Sequence, residues 1–308
     1  MRALLMTTFI AAAAVCSPLA IVAAHAVDEP NAAMGPSAPA AEQAECPGNS
    51  NPLGVSRVVE IDTTGGPGFG FQHYKLYDFL NPKEVVLTFD DGPLPNRTTA
   101  VLAALNAECT KAIFFSVGKV AAGYPDILRD VYKSGHTVGG HTMDHKDLSK
   151  MPFDKAKDDI EKSFSVAKRA IGGSPAPFFR FPFLRHSPET LKYLAERNVA
   201  VFSTDIDSFD FKRSKPDALV KRIMTSLEKR GKGIILMHDI QPHTAAAMPQ
   251  LLQELKAGGY KVVHMVAKEP IQTLPEYDEI VLKEMQGSMP TALSDRPLNS
   301  VVKTISGQ

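Results

Sequence analysis

The chain has 308 residues, 44% of them apolar, with 34 basic and 34 acidic side chains. That length holds one large domain or two small ones with a full core. A formal net charge of zero provides neither the basic footprint of a nucleic-acid binder nor that of a membrane-surface module.

Met1–Ala26 reads as a secretory leader. Arg2 gives a basic start, Leu4 to Ala24 is apolar and Ala-rich, and Ala24-His25-Ala26 has the form of a cleavage site. Export to the periplasm or the medium is therefore expected, with no membrane span in the mature chain, since no later stretch is long and apolar enough to cross a bilayer. Cleavage leaves Cys46 and Cys109. An even pair in an oxidising compartment suits a disulfide, with two independent thiols as the alternative.

Residues 27–82 form a tether and extension. Val27 to Asn51 is rich in Ala, Pro, Glu and Ser without periodicity, Val55 to Ile61 suits a strand, and Gly65 to Gly70 is a structural turn without phosphate-loop spacing. From Lys83 strands and helices alternate. Strands are expected at Val85–Phe89, Ala112–Ser116, His136–Gly139, Ala176–Phe179, Val199–Ser203, Ile234–Met237 and Tyr260–Val263. Helices are expected between them: Arg97–Leu105, Pro125–Lys133, one capped by Asp154 and ending at Gly172-Gly173, one opened by Ser187-Pro188, then Asp217–Lys229 and Met248–Ala257. Residues 83–268 thus make one α/β domain of about seven units, and residues 269–308 a weakly periodic tail that packs, if anywhere, on the outside.

Such alternation closes either as an open doubly wound sheet or as a β/α barrel. Polar residues follow five strands, at Asp90, His141, Arg180, Asp207 and His238. An open sheet gathers its site at one switch point, whereas a barrel collects residues from many strand ends. A seven-unit β/α barrel is therefore expected.

Two carboxylates, Asp90 and Asp91, end the first strand of that series. Successive strand residues face opposite ways, so one can bind a cation while the other stays free as a base. His141-Thr-Met-Asp-His145 places two imidazoles four apart, which on a helical turn share one face. With Asp91 they make a two-histidine, one-carboxylate set, a composition that leaves positions open for water and substrate.

The ordered motifs TFDDGP (Thr88–Pro93), HTMDH (His141–His145), RFPF (Arg180–Phe183), DSFDF (Asp207–Phe211) and IILMH (Ile234–His238) resemble those of NodB-type polysaccharide deacetylases, carbohydrate esterase family four. The likeness spans about Lys83 to Val266 and implies a seven-unit barrel. It implies that Asp91, His141 and His145 hold one divalent metal, with zinc the default and cobalt, nickel or iron also fitting. Asp90 is then the general base, paired with Arg180, and the Phe183 backbone N–H donates to the oxyanion. His238 is the acid, oriented by Asp207, while Leu236 and Phe211 line the acetyl pocket. Such an ion would polarise the acyl carbonyl and lower the pKa of a water, while a carboxylate-paired histidine suits protonation of the leaving amine. Asp210 takes a capping or loop role.

Phe183 stands where the family usually has Tyr, and Phe211 where it often has Trp, which bears on substrate preference more than on catalysis. His136 belongs to the core or backs the site, His243 to an exposed loop, and Arg185-His186 to solvent or a sugar chain. The expected protein is an exported, monomeric N-deacetylase acting on an N-acetylated polysaccharide or oligosaccharide, chitin- or peptidoglycan-like. An O-acetyl esterase or a non-catalytic glycan binder on the same fold is the alternative.

Overall fold

A computed structural model describes residues 46–287. The expected leader of residues 1–26, the expected tether up to residue 45 and the chain from residue 288 lie outside the described residues. The elements run β1 (Arg57–Ile61), β2 (Gly68–Phe69), β3 (Glu84–Asp90), α1 (Thr98–Ala107), β4 (Ile113–Ser116), α2 (Gly118–Gly123), α3 (Pro125–Lys133) and β5 (Thr137–Gly140). They continue with α4 (Phe153–Ile171), β6 (Phe178–Phe179), α5 (Pro188–Glu196), β7 (Ala200–Phe202), β8 (Ile206–Asp207), α6 (Pro216–Arg230), β9 (Gly233–His238), α7 (Pro242–Ala257), β10 (Lys261–Ala267) and α8 (Pro275–Gly287).

Every strand pairing among the described residues is parallel. Pairing runs β3–β4–β5–β6–β7 on one side and β3–β9–β8 on the other. The short stretch Ser203–Asp205 joins β7 to β8, so the circuit closes as a β/α barrel. β10 pairs with the first residues of β3, and two strands of the extension complete the sheet, β1 along β10 and β2 along β7.

All seven residues of β3 are buried, as expected of a strand covered on both faces. Alternate residues serve two cores. Val85, Leu87 and Phe89 pack outward against α1, α6 and α7 through Leu105, Leu219 and Leu251. Val86, Ile113, Phe115, Phe178, Phe202, Ile234 and Met265 fill the barrel. Each such side chain contributes about 1.5–3 kcal/mol on burial, so the lower barrel is a solid apolar plug. Thr88, Asp90, Leu236 and His238 continue the inward rows of β3 and β9 towards the C-terminal strand ends, where a barrel of this kind carries its chemistry.

Local rules account for most boundaries. Ser187 caps α5 with a reciprocal bond to Thr190, and left-handed Gly172 and Gly231 end α4 and α6. Asp154 is not the cap of α4. Pro152 holds that position, and Asp154 sits in the first turn, where its charge still complements the helix dipole. α7 starts at Pro242 rather than Met248 and runs through Pro249. In the tail, α8 lies along α4, with Lys168 Nζ 2.8 Å from Asp278 Oδ2 and the Tyr277 hydroxyl donating to Asp158 at 2.7 Å. Cys46 and Cys109 form a disulfide that ties the extension to the end of α1, where Asn49 Nδ2 also donates to the Ala107 carbonyl at 2.9 Å.

Candidate active site

Asp90 ends β3 facing into the barrel and is 2% exposed. Its Oδ1 accepts a bond of 2.7 Å from Arg180 Nη1. Arg180 is fully buried, lies 4.4 Å over the Phe115 ring, and also donates to Thr88 Oγ1 at 2.7 Å and to the Ser203 carbonyl at 2.8 Å. The guanidinium therefore bridges β3 to the β6–β7 side of the barrel. A buried ion pair gains little net stability, but losing one partner strands the other charge.

Asp91 adopts a left-handed φ of 79°, which turns its carboxylate away from that of its neighbour. Its Oδ1 lies 3.4 Å from His141 Nε2 and 3.2 Å from His145 Nε2. One donor atom from each of Asp91, His141 and His145 falls within 4.8 Å of the other two, a possible metal site. Two features suit an ion there. Asp91 Oδ1 is buried without a hydrogen-bond partner, which is costly unless a cation fills the role. His141 Nδ1 donates to the Arg180 carbonyl at 2.6 Å, so its Nε2 lone pair is the one turned to Asp91. Burial pulls the Asp91 pKa up, but the imidazoles of His141, His238 and His145 outweigh it and hold the carboxyl at about 2. Burial, followed by the neighbouring His141, lowers the pKa of His145.

The HTMDH segment is not helical, contrary to expectation. Thr142 and His145 both have left-handed φ, 68° and 53°, and the turn is held by the His145 N–H donating to Thr142 Oγ1 at 2.9 Å. The imidazoles still converge, their ring centroids 5.0 Å apart. Gly139 explains the glycine pair before them: a Cβ there would stand 2.7 Å from the Phe178 carbonyl oxygen.

His238 ends β9 in register with Asp90 on β3. Its Nδ1 lies 2.6 Å from Asp210 Oδ1, and Asp210 Oδ2 accepts the His238 backbone N–H at 2.7 Å and the Thr244 hydroxyl at 2.6 Å. The orienting acid is thus Asp210, and the expectation for Asp207 is corrected. Asp207 sits on β8 level with Leu236, two residues short of His238, and its Oδ1 accepts the Phe209 N–H at 2.8 Å. That turn carries the second acid forward to the imidazole. An acid accepting from the N–H two residues on is a common loop former, which is the one signal that could have separated the two. Burial works against a charged His238, but the hydrogen bond and charge of Asp210, with Asp90 and Asp91, raise its pKa to about 9.

Leu236 is buried inside the barrel, while the Phe211 ring, 53% exposed, stands edge-on 6.3 Å from the His238 ring. Phe183, with φ 57°, sets its ring 5.0 Å from that of His145. His243, expected in an exposed loop, is half-buried with Nε2 2.6 Å from the Asp210 carbonyl oxygen. His136 lies in the core, its Nδ1 accepting the Ala112 N–H at 3.2 Å. Arg185 pairs with Asp147 at 3.3 Å. Asp239, which no sequence pattern singled out, is 1% exposed and braces the loop that carries Asp91.

Residues 79–202 match the family model described as polysaccharide deacetylase. A chitooligosaccharide deacetylase of Azorhizobium caulinodans is 32% identical over 172 residues, 54% of this chain and 79% of that protein. Among solved structures, the peptidoglycan deacetylase of Bdellovibrio bacteriovorus superposes with a TM-score of 0.63 at 33% identity, covering 70% of this chain and 59% of that one. A pseudoenzyme of carbohydrate esterase family four from Bacillus anthracis has a TM-score of 0.55 at 24% identity, covering 59% of this chain and 64% of that one. This last likeness is one of fold alone.

Proposed function

The chain belongs to the polysaccharide deacetylase family, and on that premise we propose an exported, metal-dependent hydrolase that removes N-acetyl groups from an N-acetylated glycan. One arrangement carries the proposal: Asp91, His141 and His145 converge at one point, with Asp90 and His238 paired in register beside it. A divalent ion held there, zinc by default with cobalt, nickel or iron fitting the same ligands, supplies Lewis acidity towards the acyl oxygen and acidifies a water.

The chain's own groups handle the protons. Arg180 occupies Asp90 Oδ1 and leaves Oδ2 to take the proton of a water as its oxygen attacks the acyl carbon. The Phe183 N–H donates to the oxyanion that develops, and Leu236 and Phe211 enclose the acetyl methyl. His238, gripped at Nδ1 by Asp210, delivers its Nε2 proton to the amine nitrogen as the C–N bond breaks. Acetate and a free amine result without a covalent enzyme intermediate. The leader and the Cys46–Cys109 disulfide support an oxidising, extracytoplasmic location.

The test is acetate release from N-acetylated glycan oligomers by the purified protein, with and without chelator and with added zinc or cobalt. Release that chelator abolishes and metal restores is the expected result. Acetate from O-acetylated xylan alone would make the protein an esterase, and glycan binding without release under any divalent metal would make it a binding protein.

A further inference from the structure

The loop from Phe209 to Lys215, beside His238, exposes two aromatic rings with a cation over both. Phe209 is 42% and Phe211 53% exposed, and their ring centroids are 5.9 Å apart. Lys212 Nζ sits 5.0 Å from the first centroid and 5.7 Å from the second. Lys212, Arg213 and Lys215 have no ion-pair partner among the described residues, whereas Arg185 is matched with Asp147 and Lys146 with Asp144.

The loop is held in shape. The Phe209 N–H donates to Asp207 Oδ1, the Lys212 N–H to the Phe209 carbonyl at 3.0 Å, and Arg222 Nη1 to the Ser208 carbonyl at 2.7 Å. Phe209 has a left-handed φ of 52°, unfavourable for a bulky residue, and the conformation sends an apolar ring into solvent. Exposed apolar surface and a sparsely populated backbone conformation in one fixed loop mark a binding surface rather than a packing one. Asp210, in the same loop, orients His238, so whatever rests on the rings is registered to the proton donor.

We propose that this ledge is a subsite for a carboxylate-bearing glycan, which selects an acidic, peptidoglycan-type N-acetylated polymer over a neutral, chitin-type one. The proposal rests on the deacetylase reading above and adds to it the class of polymer. The apolar face of a pyranose ring stacks on one of the two phenyl rings, whose planes stand 61° apart, and an acidic substituent meets the Lys212 ammonium held beside them.

The experiment compares two soluble oligosaccharides of equal length, one of N-acetylglucosamine alone and one alternating N-acetylglucosamine with N-acetylmuramic acid. Acetate release by the metal-loaded enzyme and equilibrium binding by chelator-treated protein are both measured. Wild type is expected to favour the acidic oligomer, with the preference shrinking as salt rises. The double variant Lys212→Ala/Arg213→Ala should lose about fivefold more kcat/KM and affinity on the acidic oligomer than on the neutral one, and Lys212→Arg should retain the preference. Equal losses on both oligomers, or a wild-type preference for the neutral one, would overturn the subsite. Charge-selective binding without acetate release from either oligomer would keep the subsite and defeat the deacetylase reading instead.

Discussion

Asp239 Oδ1 accepts the backbone N–H of Gly92 at 3.0 Å, and through that bond the end of β9 holds the loop that follows β3. Its Oδ2 accepts the Thr98 hydroxyl at 2.5 Å, Thr98 Oγ1 accepts the Leu94 N–H at 2.7 Å, and Ser116 Oγ donates to the Gly92 carbonyl at 2.8 Å. Neighbours on a strand face opposite ways, so His238 points into the mouth while Asp239 turns back to brace the segment carrying Asp91. A Cβ at Gly92 would lie 2.0 Å from Asp239 Oδ2. Gly92→Ala should therefore displace Asp91 and lower metal affinity at least about tenfold, a loss of roughly 1.4 kcal/mol. Asp239→Ala should do likewise, and Asp239→Asn should recover part of the loss because it can still accept the Gly92 N–H. Cobalt titration read by its visible absorption checks this. Unchanged cobalt affinity in both Gly92→Ala and Asp239→Ala would show the brace to be idle.

The His238–Asp210 pair sets a pH dependence. Burial opposes the charge on His238, yet the carboxylates of Asp210, Asp90 and Asp91 raise its pKa from 6.5 to about 9. The folded value lies above the unfolded one, so the stabilising contribution is complete below pH 6.5 and is lost as pH rises through about 9. Activity that needs the protonated ring should fall along the same alkaline limb. Asp210→Asn should move that limb to lower pH and cut kcat more than KM, whereas Asp207→Asn, which touches His238 only through its charge, should move it less. A pH–rate profile from pH 5 to 10 separates them, and an unmoved limb in Asp210→Asn would count against His238 as the proton donor.

How much of this could be read beforehand depends on the kind of signal. β3 was legible because a continuous apolar run ending in two acids has few other readings, and β9 because its apolar run ends in His238. Ser187-Pro188 announced α5 through cap chemistry that acts within four residues. α2, short and flanked by glycines, has too few turns for periodicity to register. β8 is only two residues long and is a strand because the chain bends at Ser203–Asp205 to meet β9, a tertiary event with no local sign. The HTMDH pair was correctly placed together but on the wrong backbone: left-handed Thr142 and His145 are imposed by the packed turn, not by residue preference. Asp207 and Asp210 are chemically identical, and only the path of the turn decides which reaches His238.

Arg180 and Asp90 form an ion pair with side chains 0% and 3% exposed. Replacing one member leaves a charge without compensation, so Arg180→Met should cost about 3–5 kcal/mol. Asp90→Asn keeps one acceptor, the amide oxygen, for Arg180 Nη1 and should cost less, while removing the proton acceptor for the attacking water. The expected signature is divergence: Arg180→Met falls in both stability and activity, and Asp90→Asn retains most of its fold with kcat reduced by orders of magnitude. Urea denaturation alongside acetate release checks both. Equal stability of Arg180→Met and wild type would mean that the buried Asp90 carboxylate does not depend on Arg180 for compensation.

Metal binding should be visible as stability. The His145 ring makes no hydrogen bond to the protein among the described residues, whereas His141 Nδ1 is tied to the Arg180 carbonyl. His145→Ala thus removes a candidate ligand with little structural damage, and His141→Ala does not. At a hundredfold excess over its Kd a ligand that binds only the folded state adds about 2.7 kcal/mol, which for a domain of this size raises Tm by roughly 5–10 °C. Chelator-treated wild type should show that rise on adding zinc, and His145→Ala and Asp91→Asn should show most of it lost. Because the Asp91 carboxyl is held at about 2, the rise should persist well into the acid range and be limited there by protonation of the imidazoles, since metal and proton compete for the same Nε2 lone pairs. An equal zinc-induced shift in wild type and both variants would place the ion elsewhere and remove the basis for the proposed chemistry.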